Sequence, residues 1–410
     1  MDNKAKSGAL TFIFITLIID VIGLGIIIPV IPKLLQTMIG GDLSQASKYS
    51  GWLSFAYAGM QFLFSPIVGG LSDRFGRRPV LLISLLGFGI DYLFMGFAPT
   101  IWWFFIGRLI AGVTGASFTT ATAYIADVSP PEKRAQNFGL IGVAFGVGFI
   151  VGPVLGGLLG QFGVRIPFYA SAILALLNAI YGYFVLPESL PVENRRKFDW
   201  KRANPAGSLS RIAKYPVILS LTASLLCIYL AGQANQSTWT FITIAKFGWD
   251  EKMVGYSLGF IGLMIAIVQG GLIRVVIPAI GQKRSIYFGL ALYTIGFLLF
   301  AFVTQTWMMF VAIIPFSLGG ICGPALQGVI SGQVAPNEQG EIQGSLTSLI
   351  SLTSIIGPLL MNNLFSYFTA KTTAIYFPGA PFLMGAFLSL LSVLFAMKSL
   401  AKFSRHEKIG

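Results

Sequence analysis

Gly69-Gly70-Leu71-Ser72-Asp73-Arg74-Phe75-Gly76-Arg77-Arg78-Pro79 is the stretch on which the reading of this chain turns. An apolar run over 50–71 precedes it and another over 79–98 follows. Each is close to the roughly 20 residues a helix needs to cross a bilayer. A turn this tight between two long helices favours glycine, because close backbone approach or positive φ suits it. Asp73 falls at a helix end beside Arg74, Arg77 and Arg78. A carboxylate there pairs with arginine and with a neighbouring helix N-terminus, giving an interhelical lock that can be made and broken.

Outward from this turn, further apolar segments of spanning length fall at 9–35, 101–126, 136–160 and 166–186. A polar stretch follows from Pro187 to Lys214, carrying Glu188, Glu193, Arg195, Arg196, Lys197, Asp199, Lys201 and Arg202. A second series runs at 216–243, 253–279, 285–304, 307–332, 341–367 and 379–400. The expected fold is an all-α membrane protein of twelve transmembrane helices. It divides into a six-helix bundle over 1–186, a cytoplasmic linker over 187–214, and a second six-helix bundle with a short tail over 215–410.

Composition agrees. The chain is 55% apolar and 10% charged, against about 25% charged in soluble domains. Its mean hydropathy is +0.77. The first apolar run has no small-residue cleavage site after it and is too long for a signal-peptide core, so it reads as the first span. Cys227 and Cys322 lie in apolar stretches and read as packing residues; the one histidine, His406, is in the tail. With no nucleotide loop, metal cluster or nucleophile–base pair in the sequence, an enzyme is disfavoured.

The net charge of +13 is a topology signal. With a cytoplasmic N-terminus, the inner segments hold Lys4, Lys6, Arg74, Arg77, Arg78, Lys133, Arg134, the linker bases through Arg211 and Lys214, Arg274, Lys283, Arg284, Lys398, Lys402, Arg405 and Lys408. The outer loops hold only Lys33, Lys48, Arg165, Lys246, Lys252 and Lys371. The positive-inside rule therefore sets both termini and the linker in the cytoplasm. Anionic lipid is the expected partner of the basic face, in preference to nucleic acid.

The two halves repeat. Gly152-Pro153 recurs as Gly357-Pro358, Gly76 and its basic cluster as Gly281-Gln282-Lys283-Arg284, Gly139 as Gly344, and Gly115 as Gly320. One offset, half the chain, relates every pair. Parallel half-repeats are a known transporter plan, with substrate bound near the midplane where the repeats meet.

The opening string resembles the signature loop of the major facilitator superfamily, and the wider pattern is similar to its tetracycline-efflux branch of drug/proton antiporters. The supporting residues are Asp20-Val21-Ile22-Gly23-Leu24-Gly25 with Pro29 and Pro32, Asp91-Tyr92-Leu93, and Gly107-Arg108-Leu109-Ile110-Ala111-Gly112. Gly148 through Gly152-Pro153 to Gly156-Gly157, Phe247-Gly248-Trp249, Pro324 to Gly328, and Ile356 to Leu360 continue it. The resemblance implies the major facilitator fold of two pseudo-symmetric six-helix bundles. It also implies that Gly69, Asp73, Arg74, Gly76, Arg77 and Arg78 form a cytoplasmic gate joined by Asp127. The glycines of span five with Pro153 would be the antiporter motif, a sealing interface.

Charges inside a bilayer are expensive and usually functional. Asp20, Asp91 and Arg108 all fall near the midplane at a 1.5 Å rise per residue. Asp20 or Asp91 is expected to bind and release a coupling proton, with Arg108 as the opposing charge; a permanent structural ion pair is the alternative. Tyr57, Gln61, Gln233, Asn235, Gln236, Trp239 and Gln327 are polar or aromatic at mid-depth and are candidate substrate contacts. Glu338 and Glu341, bordering span eleven, read as plain loop charges.

The chain also departs from the branch. The best-known tetracycline pumps carry an acid in span nine and a histidine in span eight, where Tyr293 and Ile265 stand here, and Pro278 replaces the acid in the second copy of the loop. These differences move coupling into the first half and weigh against recognition of a metal–tetracycline chelate. The expectation is a monomeric transporter of a bacterial cytoplasmic membrane. It exports tetracycline-like or other amphipathic organic solutes in exchange for protons by alternating access, with no cofactor and no metal. The rivals are a proton-coupled sugar or nutrient transporter and a non-transporting receptor on the same fold.

Overall fold

The computed structural model describes residues 3–115, 117–130, 134–196, 198, 216–333 and 339–406. Lys133, Lys197, Asp199, Lys201, Arg202, Arg211, Lys214, Glu338 and Lys408 lie outside the described residues, as do the side chains of Lys4, Lys6, Arg134, Glu341, Lys402, Arg405 and His406.

The described chain is helical. In order the helices are α1 Asn3–Ile27, α2 Ile31–Ile39, α3 Leu43–Phe75, α4 Arg77–Phe97, α5 Ile101–Gly115, α6 Ser117–Val128, α7 Arg134–Gly160 and α8 Ile166–Val185. Then come α9 Pro216–Phe247, α10 Glu251–Ile267, α11 Ile273–Ile280, α12 Gln282–Phe302, α13 Thr306–Gly319, α14 Cys322–Ser331, α15 Gln339–Thr369 and α16 Ala380–His406. Four spans are each built from two of these: Ala9–Ile39, Ile101–Val128, Glu251–Ile280 and Thr306–Ser331. Among the described residues, ten spans are long and apolar enough to cross a membrane. Helices α3 and α9 complete the twelve; at 33 and 32 residues they are long enough, and both carry amides in mid-helix.

The interruptions have local causes. Pro29 and Pro32 separate α1 from α2, where a 3-10 turn spans Ile28–Val30. A π turn at Val268–Leu272, holding Gly270-Gly271, joins α10 to α11. Helix α3 begins seven residues before the expected span because Asp42 caps it, accepting the Gln45 backbone N–H at 2.9 Å. Asp250 does the same for α10, accepting the Met253 N–H at 2.8 Å.

The chain divides into two compact units. The first comprises Met1–Gly41, Ala56–Pro205 and Trp249–Gly262; the second comprises Asp42–Phe55, Ala206–Gly248 and Leu263–Gly410. In the first, α1 packs on α7 and α8, and α4 on α5, α6 and α8. In the second, α9 packs on α15 and α16, and α12 on α13, α14 and α16. The repeat seen in the sequence is thus a repeat of helix pairings.

Each unit buries its own apolar core. Phe12, Ile13, Leu17, Leu81, Tyr124 and Ile125 centre the first, and Leu221, Leu225, Ile286, Leu290, Leu326 and Leu346 the second. Large apolar side chains remain outside these cores: Phe184 is 79% exposed and Trp102 72%. In water such residues would be a liability, and in hydrocarbon they are the expected surface. Cys227 and Cys322 are free thiols.

Small residues set the closest approaches. A methyl on Gly156 would fall inside the Ile26 carbonyl of α1, and one on Gly152 would lie 2.8 Å from Gly25 Cα. The other side of α7 meets the first turns of α10, where Cβ atoms on Gly255 and Gly157 would strike the carbonyls of Pro153 and Glu251. The second unit repeats this contact with different chemistry. Gly51 of α3 faces the Pro358 carbonyl of α15, and the Ser47 hydroxyl donates to Asn362 Oδ1 at 2.9 Å.

Candidate functional site

The signature string folds into a charge cluster at the junction of α3 and α4. Gly76 has φ +104° and ψ 158°, a conformation open essentially to glycine alone, and this brings Arg77 back under the end of α3. The buried Arg77 guanidinium then pairs with Asp73, four residues earlier, and with Asp127 of α6, Nε to Oδ2 3.1 Å. Its Nη1 also donates to Ser72 Oγ at 2.6 Å. A planar fork satisfied by two carboxylates and a hydroxyl is a rigid junction. Arg74 stays exposed over the ring of Phe75, and Gly69 lies beside Thr119 of α6.

The α4 N-terminus needs its own acceptor, since its first N–H groups have no partner within the helix. Sequence reasoning gave Asp73 that task, and the structure corrects it. Glu188, three residues past α8, accepts the backbone N–H groups of Arg77 at 2.9 Å and Arg78 at 3.3 Å. Arg195 Nη2 stands 3.8 Å from the same carboxylate. Ser189 donates to Asp127 at 3.0 Å and Tyr124 to the Pro187 carbonyl at 3.1 Å, tying this segment to α6. Arg78 donates to the Tyr183 carbonyl at 2.8 Å.

The three charges expected at mid-depth all lie in the first unit. Asp91 is 1% exposed, and Arg108 Nη2 is 3.7 Å from its Oδ2. Neither carboxyl oxygen of Asp91 has a hydrogen-bond partner. Arg108 instead donates through Nε and Nη2 to Met95 Sδ, at 3.1 and 2.7 Å. Its guanidinium also lies over the rings of Tyr57 and Phe104, 5.6 and 5.8 Å from their centroids. Asp20 stands apart from the arginine. It accepts from Asn178 Nδ2 at 3.3 Å, and the same amide bonds Thr16. A small cavity reaches Asp20, lined also by Gly23, Phe88, Tyr92 and Ser171.

The candidate substrate contacts separate into several kinds. Gln61 donates to the Gly115 carbonyl at 3.1 Å, beside Tyr57, on the face of α5 that carries Arg108. Gln233 lies against Gly357, and Gln327 donates to the Tyr229 hydroxyl at 2.9 Å. Asn235 has a buried Nδ2 with no partner, and Gln236 is exposed. Trp239 is fully buried, edge-on to Phe300 and Phe382. Span five sets Gly148, Gly152 and Gly156 against α1, with Gly148 on Val21, and Gly157 against α10. Sequence reasoning did not single out Glu188, Asn178 or Met95 for these roles; an acid just past a helix end was the available signal for the first.

Comparison with known proteins gives a consistent result. The Major Facilitator Superfamily model matches residues 13–279 and 274–408. The chain is 40% identical over 386 residues to the class C tetracycline resistance protein of Escherichia coli, covering 94% of this chain and 96% of that protein. It is 36% identical to the class H tetracycline resistance protein of Pasteurella multocida, covering 95% of each. Among solved structures, the human organic anion transporter MFSD10 superposes with a TM-score of 0.69 at 24% identity, over 97% of this chain and 100% of that one. A bacterial homolog of the human lysosomal transporter Spinster gives 0.74 at 16% identity, over 98% and 97%. These two likenesses are of fold.

Proposed function

The chain belongs to the major facilitator superfamily, and from that premise we propose that this membrane transporter exports tetracycline-like or other amphipathic drugs in exchange for protons, by alternating access. It does so from a bacterial cytoplasmic membrane, with both termini in the cytoplasm, two six-helix bundles over 1–186 and 215–410, and anionic lipid against its basic face. The observation that carries the reading is Asp91, a buried carboxyl with neither oxygen hydrogen-bonded and an arginine 3.7 Å away. An acid so placed has a use for a proton in one state and for Arg108 in another. Asp20, held by a single amide beside a small cavity, is the second carrier candidate.

The tetracycline resistance relatives support that substrate class, and a tyrosine and several amides offer contacts of a suitable kind. Tyr57 presents a ring and a hydroxyl, and Gln61, Asn235, Gln233 and Gln327 present amides. The Arg77 cluster is the cytoplasmic gate, and the glycine face of α7 is the seal against leak. Purified protein in proteoliposomes with an acid interior tests this against a drug panel, tetracycline with and without Mg²⁺ included. Gradient-dependent accumulation abolished by a protonophore is expected. No gradient-dependent movement of any drug in the panel would overturn the export reading.

A further inference from the structure

We propose that Met95 is a positioning residue for the proton step: its thioether is the alternative acceptor on which Arg108 rests when Asp91 holds a proton. Asp91 and Met95 are four residues apart on α4, so they share one face of the helix. Helix α5 offers Arg108 to that face. Arg108 Nη2 is the atom contested, against Met95 Sδ on one side and 3.7 Å from Asp91 Oδ2 on the other. An ionised carboxylate facing a guanidinium closes to about 2.7–2.9 Å. The wider gap leaves both carboxyl oxygens of Asp91 without a hydrogen bond while the guanidinium donates to sulfur.

Sulfur is a weak acceptor, which suits a resting place. It gives a buried guanidinium somewhere to donate, yet an ionised Asp91 outcompetes it. Gly107 makes room for this, since a methyl there would lie 2.6 Å from Met95 Cγ and 3.3 Å from Asp91 Oδ1. Met95 is itself 0% exposed, so its thioether stays opposite the arginine. The other titratable groups around the pair are Asp20 on α1, Tyr57 on α3 and Tyr92 on α4. None of them hydrogen-bonds Arg108 or Asp91 in the structure. The inference rests on the proton-coupled reading above, but its test does not need a transported substrate.

Carbodiimide labelling of Asp91 in the purified full-length protein reads the protonated acid directly, with the adduct located by mass spectrometry and D91N as the blank. Met95→Leu removes the acceptor at nearly constant volume and leaves Arg108 only Asp91 to bond. Labelling is expected to fall about tenfold, the worth of one hydrogen bond to a charged group. Met95→Gln restores an acceptor oxygen and is expected to label within about twofold of wild type. Thermal unfolding of both variants checks that they are folded. Wild-type protein that does not label at Asp91, or folded M95L that labels like wild type, overturns the inference. Failure of the wild type to move any drug overturns the export reading and leaves the labelling result standing on its own.

Discussion

Replacing Gly76 by alanine should destabilise the protein more than replacing its repeat partner Gly281, although the two backbones match. Gly76 has φ +104° and ψ 158°; Gly281 has φ +81° and ψ 159°. Forcing a side chain into that region costs about 1–3 kcal/mol, and the same at both sites. The surroundings differ. A methyl on Gly281 meets nothing within 4 Å, while one on Gly76 falls inside the Glu188 carboxylate, 2.8 Å from its Cδ. Glu188 must then move off the two N–H groups it caps, which adds about 1–2 kcal/mol. The expected total is about 2–5 kcal/mol for G76A against about 1–3 for G281A. Denaturant titration of the purified protein in detergent measures both. The cycle closes with E188A, which removes the clash, so G76A on that background should cost no more than G281A on wild type. Equal costs for the two glycine variants would refute the cap, and an undiminished G76A cost in E188A would refute Glu188 as its agent.

Gly156→Ala should push α1 off α7 through the Ile26 carbonyl. A loss of about 2 kcal/mol or more in unfolding and a faster passive proton leak in proteoliposomes are expected, because overpacking a tight interface costs about 1–3 kcal/mol. The Lys33–Glu251 pair, 2.9 Å apart with Lys33 61% exposed, should contribute under about 1 kcal/mol. K33Q is expected to leave thermal stability nearly unchanged in both low and high salt. Lys246, beyond the seventh span, donates to the carbonyls of Phe300, Ala301 and Val303 at 3.1, 2.6 and 3.2 Å, and burial pulls its ammonium down to about 8. Above that pH the unfolded chain binds more protons than the folded one, so stability rises from about pH 8 towards the ordinary lysine value. K246M should lose that rise when unfolding temperatures are followed from pH 7 to 10.

The twelve spans and their repeat were legible because bilayer thickness imposes a length and a composition on every crossing, whatever the packing. The Arg77–Asp73 pair was legible for a local reason, being one helical turn of spacing across a glycine break. Glu188 was not, because it reaches the α4 N-terminus only after α8 has returned the chain to it, 111 residues later. Met95 was hidden for another reason. A methionine on an apolar helix reads as filling, and only the arginine arriving from α5 gives its sulfur a task. Trp239 shows the converse. Mid-depth and amphipathic in sequence, it is enclosed by Phe300 and Phe382, which no spacing rule reveals. The early start of α3 followed from Asp42 and from the serines that bond α15, polar residues that a hydropathy reading assigns to a loop.

Coupling through the charges of the first unit is tested most directly by gradient-driven drug accumulation in proteoliposomes carrying wild-type, D20N, D91N and D20N/D91N protein. Drug exchange without a gradient, measured on the same vesicles, controls for folding and binding. The carrier acid is expected to lose gradient-driven accumulation when amidated while keeping exchange, and the double variant is expected to show exchange alone. Full gradient-driven accumulation by D20N/D91N would contradict proton coupling at these residues.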